Sequence, residues 1–161
     1  MKDEDIDQVL EWRNHPEVRR YMYTQHEIMP EEHQRWFNLA SQDPTRHLLV
    51  YERDGVGHGY AQLHCENRRA SWGFYLAPNA SKGSGSLLGR AVLDYAFLEL
   101  DLHKVIGEAL AYNQPSIHFH KKLGFIQEGL LRQHHYDGQH YHDVFCFGLL
   151  QPEWIEHREK I

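Results

Sequence analysis

Apolar and polar positions alternate along this chain with two periods, and the switch between them marks out its elements. "DEDIDQVLEWRNHP" (3–16) sets an acidic first turn before Ile6, Val9, Leu10 and Arg13 at helical spacing and meets a proline, which predicts a helix of about two turns. "MPEEHQRWFNLA" (29–40) predicts a second helix, with Pro30 near its first position and Trp36, Phe37 and Leu39 to bury. The aromatic "YMYTQH" between them is too short to form a domain of its own. From Arg46 the period falls to two, and "RHLLVYERDG", "VGHGYAQLHCEN" and "RRASWGFYLAP" predict three strands of an antiparallel meander. Asp54-Gly55 marks the first hairpin, because glycine readily takes positive φ, and Pro78 ends the third strand.

"SGSLLGRAVLDYAFLELDL" (84–102) is the strongest helical pattern, with Leu88, Ala91, Val92, Tyr95 and Ala96 on one face. "HKVIGEALAY" then reads as a strand. "NQPSIHFHKKLG" reads as a helix, with Asn113 as N-cap, Pro115 in the first turn and Gly124 just past the end. "FIQEGLLRQHHY" and "QHYHDVFCFGLL" predict two final strands around Asp137-Gly138, and "QPEWIEHREK" adds a partial helix. No repeat, low-complexity segment or linker divides the chain, so the pattern predicts a single domain over residues 1–161. Its fold class is α/β (α+β): a mixed, mostly antiparallel central sheet flanked by helices. The strand, long helix, strand crossover must be right-handed, and ligands of such sheets sit beyond strand ends.

Composition narrows the function classes. Apolar residues at 41% and charged residues at 25% belong to a folded globular chain. The formal charge of -6, from 23 acidic against 17 basic residues without a basic block, argues against nucleic acid as partner. A small anion remains possible, since a helix end and one or two arginines can hold it. Cys65 and Cys146 lie in strand-like runs without metal-ligand spacing, which predicts buried free thiols and a reducing compartment. The acidic amino terminus has no signal-like apolar segment and no run approaches the roughly 20 residues of a membrane span, so the expectation is a cytoplasmic protein without membrane contact.

The chemistry-bearing stretch is "NASKGSGSLLG". Gly83 and Gly85 stand between a proline-ended strand and a strong helix, where converging backbone amides and Lys82 can cradle phosphate oxygens. The same pattern also fits a flexible cap chosen for its turn geometry. "GVGHG" (55–59) alternates glycines too, but no helix follows it and a hairpin accounts for it.

That strand, glycine turn, helix and strand, followed by "NQPSIHFHKKLGF", resembles the GCN5-related N-acetyltransferase (GNAT) superfamily over residues 5–150. The superfamily's marks are a (Q/R)xxGxG/A turn and, one strand later, an "N..A..FYEKLGF" helix. The resemblance implies the GNAT fold and acetyl-CoA as co-substrate. It implies Lys82, Gly83, Ser84, Gly85 and Ser86 as the pyrophosphate loop, with Leu110, Asn113 and Ser116 along the pantetheine arm. Two departures stand out: Ala80 occupies the Gln/Arg position, and the fold's first strand is missing. The edge so left is a candidate pairing surface for a homodimer.

His120 falls where the superfamily has the tyrosine that resembles a general acid for the departing thiolate. An imidazolium could supply that proton if an acidic neighbour raised its pKa from about 6.5. The alternative is that His120 packs beside Ile117 and Leu123 and donates to a backbone carbonyl while the thiolate leaves unassisted. Glu108, on the strand expected to face the thioester, is a candidate proton acceptor or ammonium partner, or else an ordinary strand partner. The histidines at 118, 134, 135, 140 and 142 lack a supported third ligand, so no metal site is expected.

The segment "EWRNHPEVRRYMYTQHEIMPEEHQRWF" with "WGFYLAP" further resembles the N-acetyltransferases of pseudaminic acid biosynthesis. That resemblance implies a UDP-amino sugar as acceptor, UDP-4-amino-4,6-dideoxy-N-acetyl-beta-L-altrosamine, contacted by Arg13, Met22, Tyr23, His33, Tyr75 and Glu108. Two alternatives stay open on sequence: acetylation of a protein amino terminus, suggested by "WRNHPEV", and a non-catalytic CoA or nucleotide sensor.

Overall fold

A computed structural model of the chain describes residues 1–160. The elements run α1 (Ile6–Asn14), α2 (Pro16–Arg19), α3 (Pro30–Ala40), β1 (Arg46–Arg53), β2 (Val56–Glu66), β3 (Arg69–Leu76), α4 (Ser84–Asp94), β4 (Lys104–Leu110), α5 (Gln114–Lys122), β5 (Ile126–Tyr136), β6 (Tyr141–Leu150) and α6 (Gln151–His157). The strands form one sheet in the order β1-β2-β3-β4-β6-β5. β1–β2, β4–β6 and β5–β6 are antiparallel and β3–β4 is parallel, which is the mixed, mostly antiparallel sheet the pattern predicts. Among the described residues no helix is long and apolar enough to cross a membrane.

The chain divides into two compact units, Met1–Cys65 with Trp72–Leu88, and Glu66–Ser71 with the chain from Gly89 onward. In the first, Val9 and Trp12 of α1 pack with Tyr60 and Ala77, bordered by Trp36, Leu48, Val50 and Tyr75. The β1–β2 hairpin closes through Asp54 and Gly55 at φ 53° and 74°, the left-handed pair that a tight turn requires. A Cβ at Gly59 would stand 2.6 Å from Leu88 Cδ1 and 2.9 Å from the Tyr75 carbonyl, so the glycine permits that close approach.

In the second unit, β4 pairs with β6 over its whole length, from Lys104↔Leu150 to Leu110↔Val144. Phe97, Val105, Ile117, Leu123, Val144, Phe147, Leu149 and Trp154 form its buried interior. Asp94, at the end of α4, accepts from Trp154 Nε1 at 3.0 Å and Arg158 Nη2 at 3.1 Å, which ties α6 to α4.

Several expectations need correction. Pro16 opens a new short helix instead of only ending the first, and the His15 ring caps it by accepting from the Glu17 amide. The long helix keeps α geometry only to Asp94 and then widens into a π-helical turn over Tyr95–Glu99. Leu39, predicted to be buried, is 75% exposed because His33, Phe37 and Ala40 form the inward stripe of α3. The two cysteines are half-buried free thiols, not fully buried ones. β1 is an edge strand in the sheet, and its Leu48 carbonyl accepts from the Met1 amino group at 2.8 Å.

Candidate active site

The glycine turn lies in the first unit. The Ser84 amide donates to the Ser81 carbonyl at 3.0 Å, and the Ser81 and Ser84 hydroxyls lie 3.0 Å apart, so the turn is stitched by backbone and side chain together. Ser84 is fully buried, whereas Lys82 and Gly83 are exposed. Gly83 has φ 91°, and a Cβ built there would meet nothing within 4 Å. The backbone is thus bent as only glycine tolerates easily, and the space above it is open. α4 begins at Ser84, so Gly85 and Ser86 lie in its first turn, where amide dipoles favour an anion.

In the second unit, the parallel ladder from β3 reaches β4 only at Lys104, Val105 and Ile106. From Gly107 to Leu110, β4 is laddered on the β6 side alone. Glu108 is exposed on that stretch, while Ala109 and Leu110 are buried. Asn113 follows as the N-cap of α5, its Oδ1 accepting from the Ser116 amide at 3.1 Å. Leu110, Asn113 and Ser116 are therefore brought together by a strand end and the cap that starts the next helix.

His120, one turn further along α5, is 1% exposed. Its ring stacks on Phe147 at 4.8 Å and meets Phe125 edge-on at 5.0 Å. Nδ1 donates to the Ser116 carbonyl at 2.8 Å, which places the proton on that nitrogen. Burial lowers its pKa to about 4, against the weaker opposing pull of the Ser116 carbonyl, so the ring is neutral near pH 7. Burial thus disfavours the imidazolium that an acid role would use.

The residues assigned to the acceptor side all fall in the first unit, except Glu108. Arg13 donates through Nη2 to the Thr24 carbonyl at 2.8 Å, and burial lowers its pKa. His33 is buried and stacked on Trp36 at 5.0 Å; burial lowers its pKa, and its Nε2 is buried without a hydrogen-bond partner among the described residues. Tyr75 packs 5.1 Å from Tyr60, with its hydroxyl 3.5 Å from the Val9 carbonyl, and burial raises its pKa. Met22 is half-buried and Tyr23 is 49% exposed. Arg13 and Tyr75 each contact one carbonyl of their own unit, while Arg13 Nη1 is buried without a hydrogen-bond partner among the described residues. Sequence reasoning missed Ser81 and Arg53: Arg53 Nη2 donates to Ser81 Oγ at 3.1 Å, a contact between residues 28 apart that no local motif announces.

Residues 1–126 match the family model described as acetyltransferase (GNAT) domain; the chain belongs to this family and is an acetyl-CoA-dependent acetyltransferase. It is 33% identical over 115 residues to an uncharacterized N-acetyltransferase, YokL, of Bacillus subtilis; that match covers 70% of this chain and 65% of the relative, a little under two thirds of its length. It is 25% identical over 163 residues to the spermidine N(1)-acetyltransferase of Escherichia coli K12, covering 98% of this chain and 88% of that one. The fold superposes on a spermidine N-acetyltransferase of Vibrio cholerae, solved with CoA and spermine, with a TM-score of 0.88 at 23% identity over 96% of this chain and 95% of that chain.

These findings correct the resemblance to pseudaminic acid enzymes. The Campylobacter jejuni acetyltransferase PseH matches at 25% identity over 126 residues, 78% of this chain, whereas the spermidine enzyme matches nearly all of it. The UDP-amino sugar, with the sugar and flagellin context it carried, is set aside.

Proposed function

We propose that the enzyme transfers the acetyl group of acetyl-CoA to a primary amine of a small polycationic amine of the spermidine class. The observation that carries this reading is the similarity to the Escherichia coli spermidine enzyme along almost the entire chain. Electrostatics supports it. The chain carries a net charge of -6, and its first unit exposes Asp7, Glu11, Glu27 and Glu31, which attract a polycation and raise its encounter rate. A surface groove of about 360 Å³ is lined by Ile6, Leu10 and Pro30 with Asp7, Glu31 and Gln34. Such a lining suits an alkyl chain with charged nitrogens.

The chemistry needs no protein nucleophile. The ammonium first loses a proton, the neutral amine forms a bond to the thioester carbonyl carbon, and the carbon–sulfur bond breaks to release CoA thiolate. Lys82, Gly83, Ser84, Gly85 and Ser86 would hold the diphosphate, and Leu110, Asn113 and Ser116 the pantetheine arm. Glu108, exposed on β4, would take the ammonium proton through water. A thiolate of pKa about 8.5 takes its proton from water. The whole chain would serve as one transferase domain, and its free thiols fit a cytoplasmic setting.

The test is acceptor profiling with acetyl-CoA, following released thiol and acetylated product by mass spectrometry. Spermidine and spermine should saturate the enzyme. Turnover on an amino-terminal peptide with none on either polyamine would reject the assignment.

A further inference from the structure

We propose that Arg53 is a diphosphate-binding residue of the acetyl-CoA site, supplying from the first hairpin the cation that position 80 lacks. Position 80, given to a Gln or Arg by the superfamily resemblance, holds Ala80, which packs against the core of the first unit. The structure brings another cation to the same turn. Arg53 is the last residue of β1, and its Nη2 donates to Ser81 Oγ, which lies 3.0 Å from the Ser84 hydroxyl. Ser81 stands two residues before Gly83, whose positive φ and open surroundings leave that face of the turn accessible.

Arg53 has capacity to spare. Its nearest carboxylate oxygen, on Asp54, is 3.9 Å from Nε, beyond hydrogen-bond reach, and the Asp54 side chain is 92% exposed. A guanidinium has five N–H donors, and the bond to Ser81 uses one. Its planar fork suits the two oxygens of a phosphate better than a lysine point charge does. Lys82, exposed on the turn itself, and Arg53, anchored through Ser81, then place two cations by the amides of one helix start. This inference rests on the family's use of acetyl-CoA and is independent of which amine accepts the acetyl group.

Calorimetric titration with CoA and with 3′-dephospho-CoA tests it. Arg53→Ala should weaken both ligands by roughly tenfold, with Arg53→Lys in between, and the dependence of affinity on salt should flatten. The side chain is 46% exposed, so thermal midpoints should stay together; should Arg53→Ala melt early, Arg53→Lys decides. Unchanged CoA affinity in a folded Arg53→Ala protein would overturn the proposal. So would a loss confined to CoA and absent with 3′-dephospho-CoA, which would place the arginine on the 3′-phosphate.

Discussion

Replacing His120 by phenylalanine should remove a pH dependence of stability while sparing most of the catalytic rate. The ring is 1% exposed and boxed by Phe125 and Phe147, and burial holds its pKa at about 4 against an ordinary value near 6.5. Below pH 6.5 the unfolded chain takes up a proton that the folded chain refuses until about pH 4. The stability contributed by the neutral ring is therefore complete above about pH 6.5 and falls as pH drops toward 4. The span is worth roughly 3 kcal/mol, at about 1.4 kcal/mol for each tenfold in proton affinity. Phenylalanine fills the same aromatic box and removes the ring donor to the Ser116 carbonyl, a pH-independent cost of about 1 kcal/mol. Urea unfolding at several pH values between 7.5 and 4.5 reads the comparison: the wild type should lose more stability on acidification than His120→Phe, with carboxylate titrations common to both. Parallel curves would refute the buried neutral ring. A hundredfold loss of kcat in a stably folded His120→Phe protein would refute the claim that the ring gives no proton to the thiolate.

Other substitutions separate packing from cofactor binding. Gly89→Ala would set a Cβ 2.7 Å from Leu123 Cδ1 and 2.8 Å from Phe119 Cζ, so chemical denaturation should show a loss of about 1–3 kcal/mol. Gly83→Ala meets no neighbour but must keep φ 91°, so it should cost about 1 kcal/mol in unfolding and weaken CoA in calorimetry, because its Cβ enters the space above the turn. Asp94→Asn weakens the ties to Trp154 and Arg158; a thermal melt should fall by an amount equivalent to about 1–3 kcal/mol, and limited proteolysis should cut first near α6. Steering by acidic residues predicts that the KM for spermidine rises with ionic strength through a slower encounter, while an uncharged primary amine shows little change.

The fold was legible where period and turn chemistry agreed. The alternation from Arg46 onward, the Asp54-Gly55 turn and the Asn113 cap each act within a few residues, so local sequence carried them. Features set by distant partners were not. The turn between β2 and β3 uses Asn67 and Arg68 at φ 49° and 60°, with no glycine to advertise it, and Arg68 also donates to the Asp101 carbonyl. The π-helical turn after Asp94 interrupts a periodic apolar pattern without a proline or glycine. At the site, the glycine turn and capped helix were readable as motifs. The burial that makes His120 neutral depends on Phe147, from a strand more than twenty residues on, and could not be read locally. The carbonyls that Arg13 and Tyr75 contact, those of Thr24 and Val9, were likewise not readable from local sequence.

The most direct measurement is a stoichiometric one: purified protein with acetyl-CoA and spermidine, sampled for free CoA thiol and for acetylated polyamine in the same aliquots. One acetylated amine should appear for each thiol released, with saturation in both substrates. Thiol release that leaves spermidine unmodified, or no transfer to any polyamine while another amine is acetylated, would contradict the account.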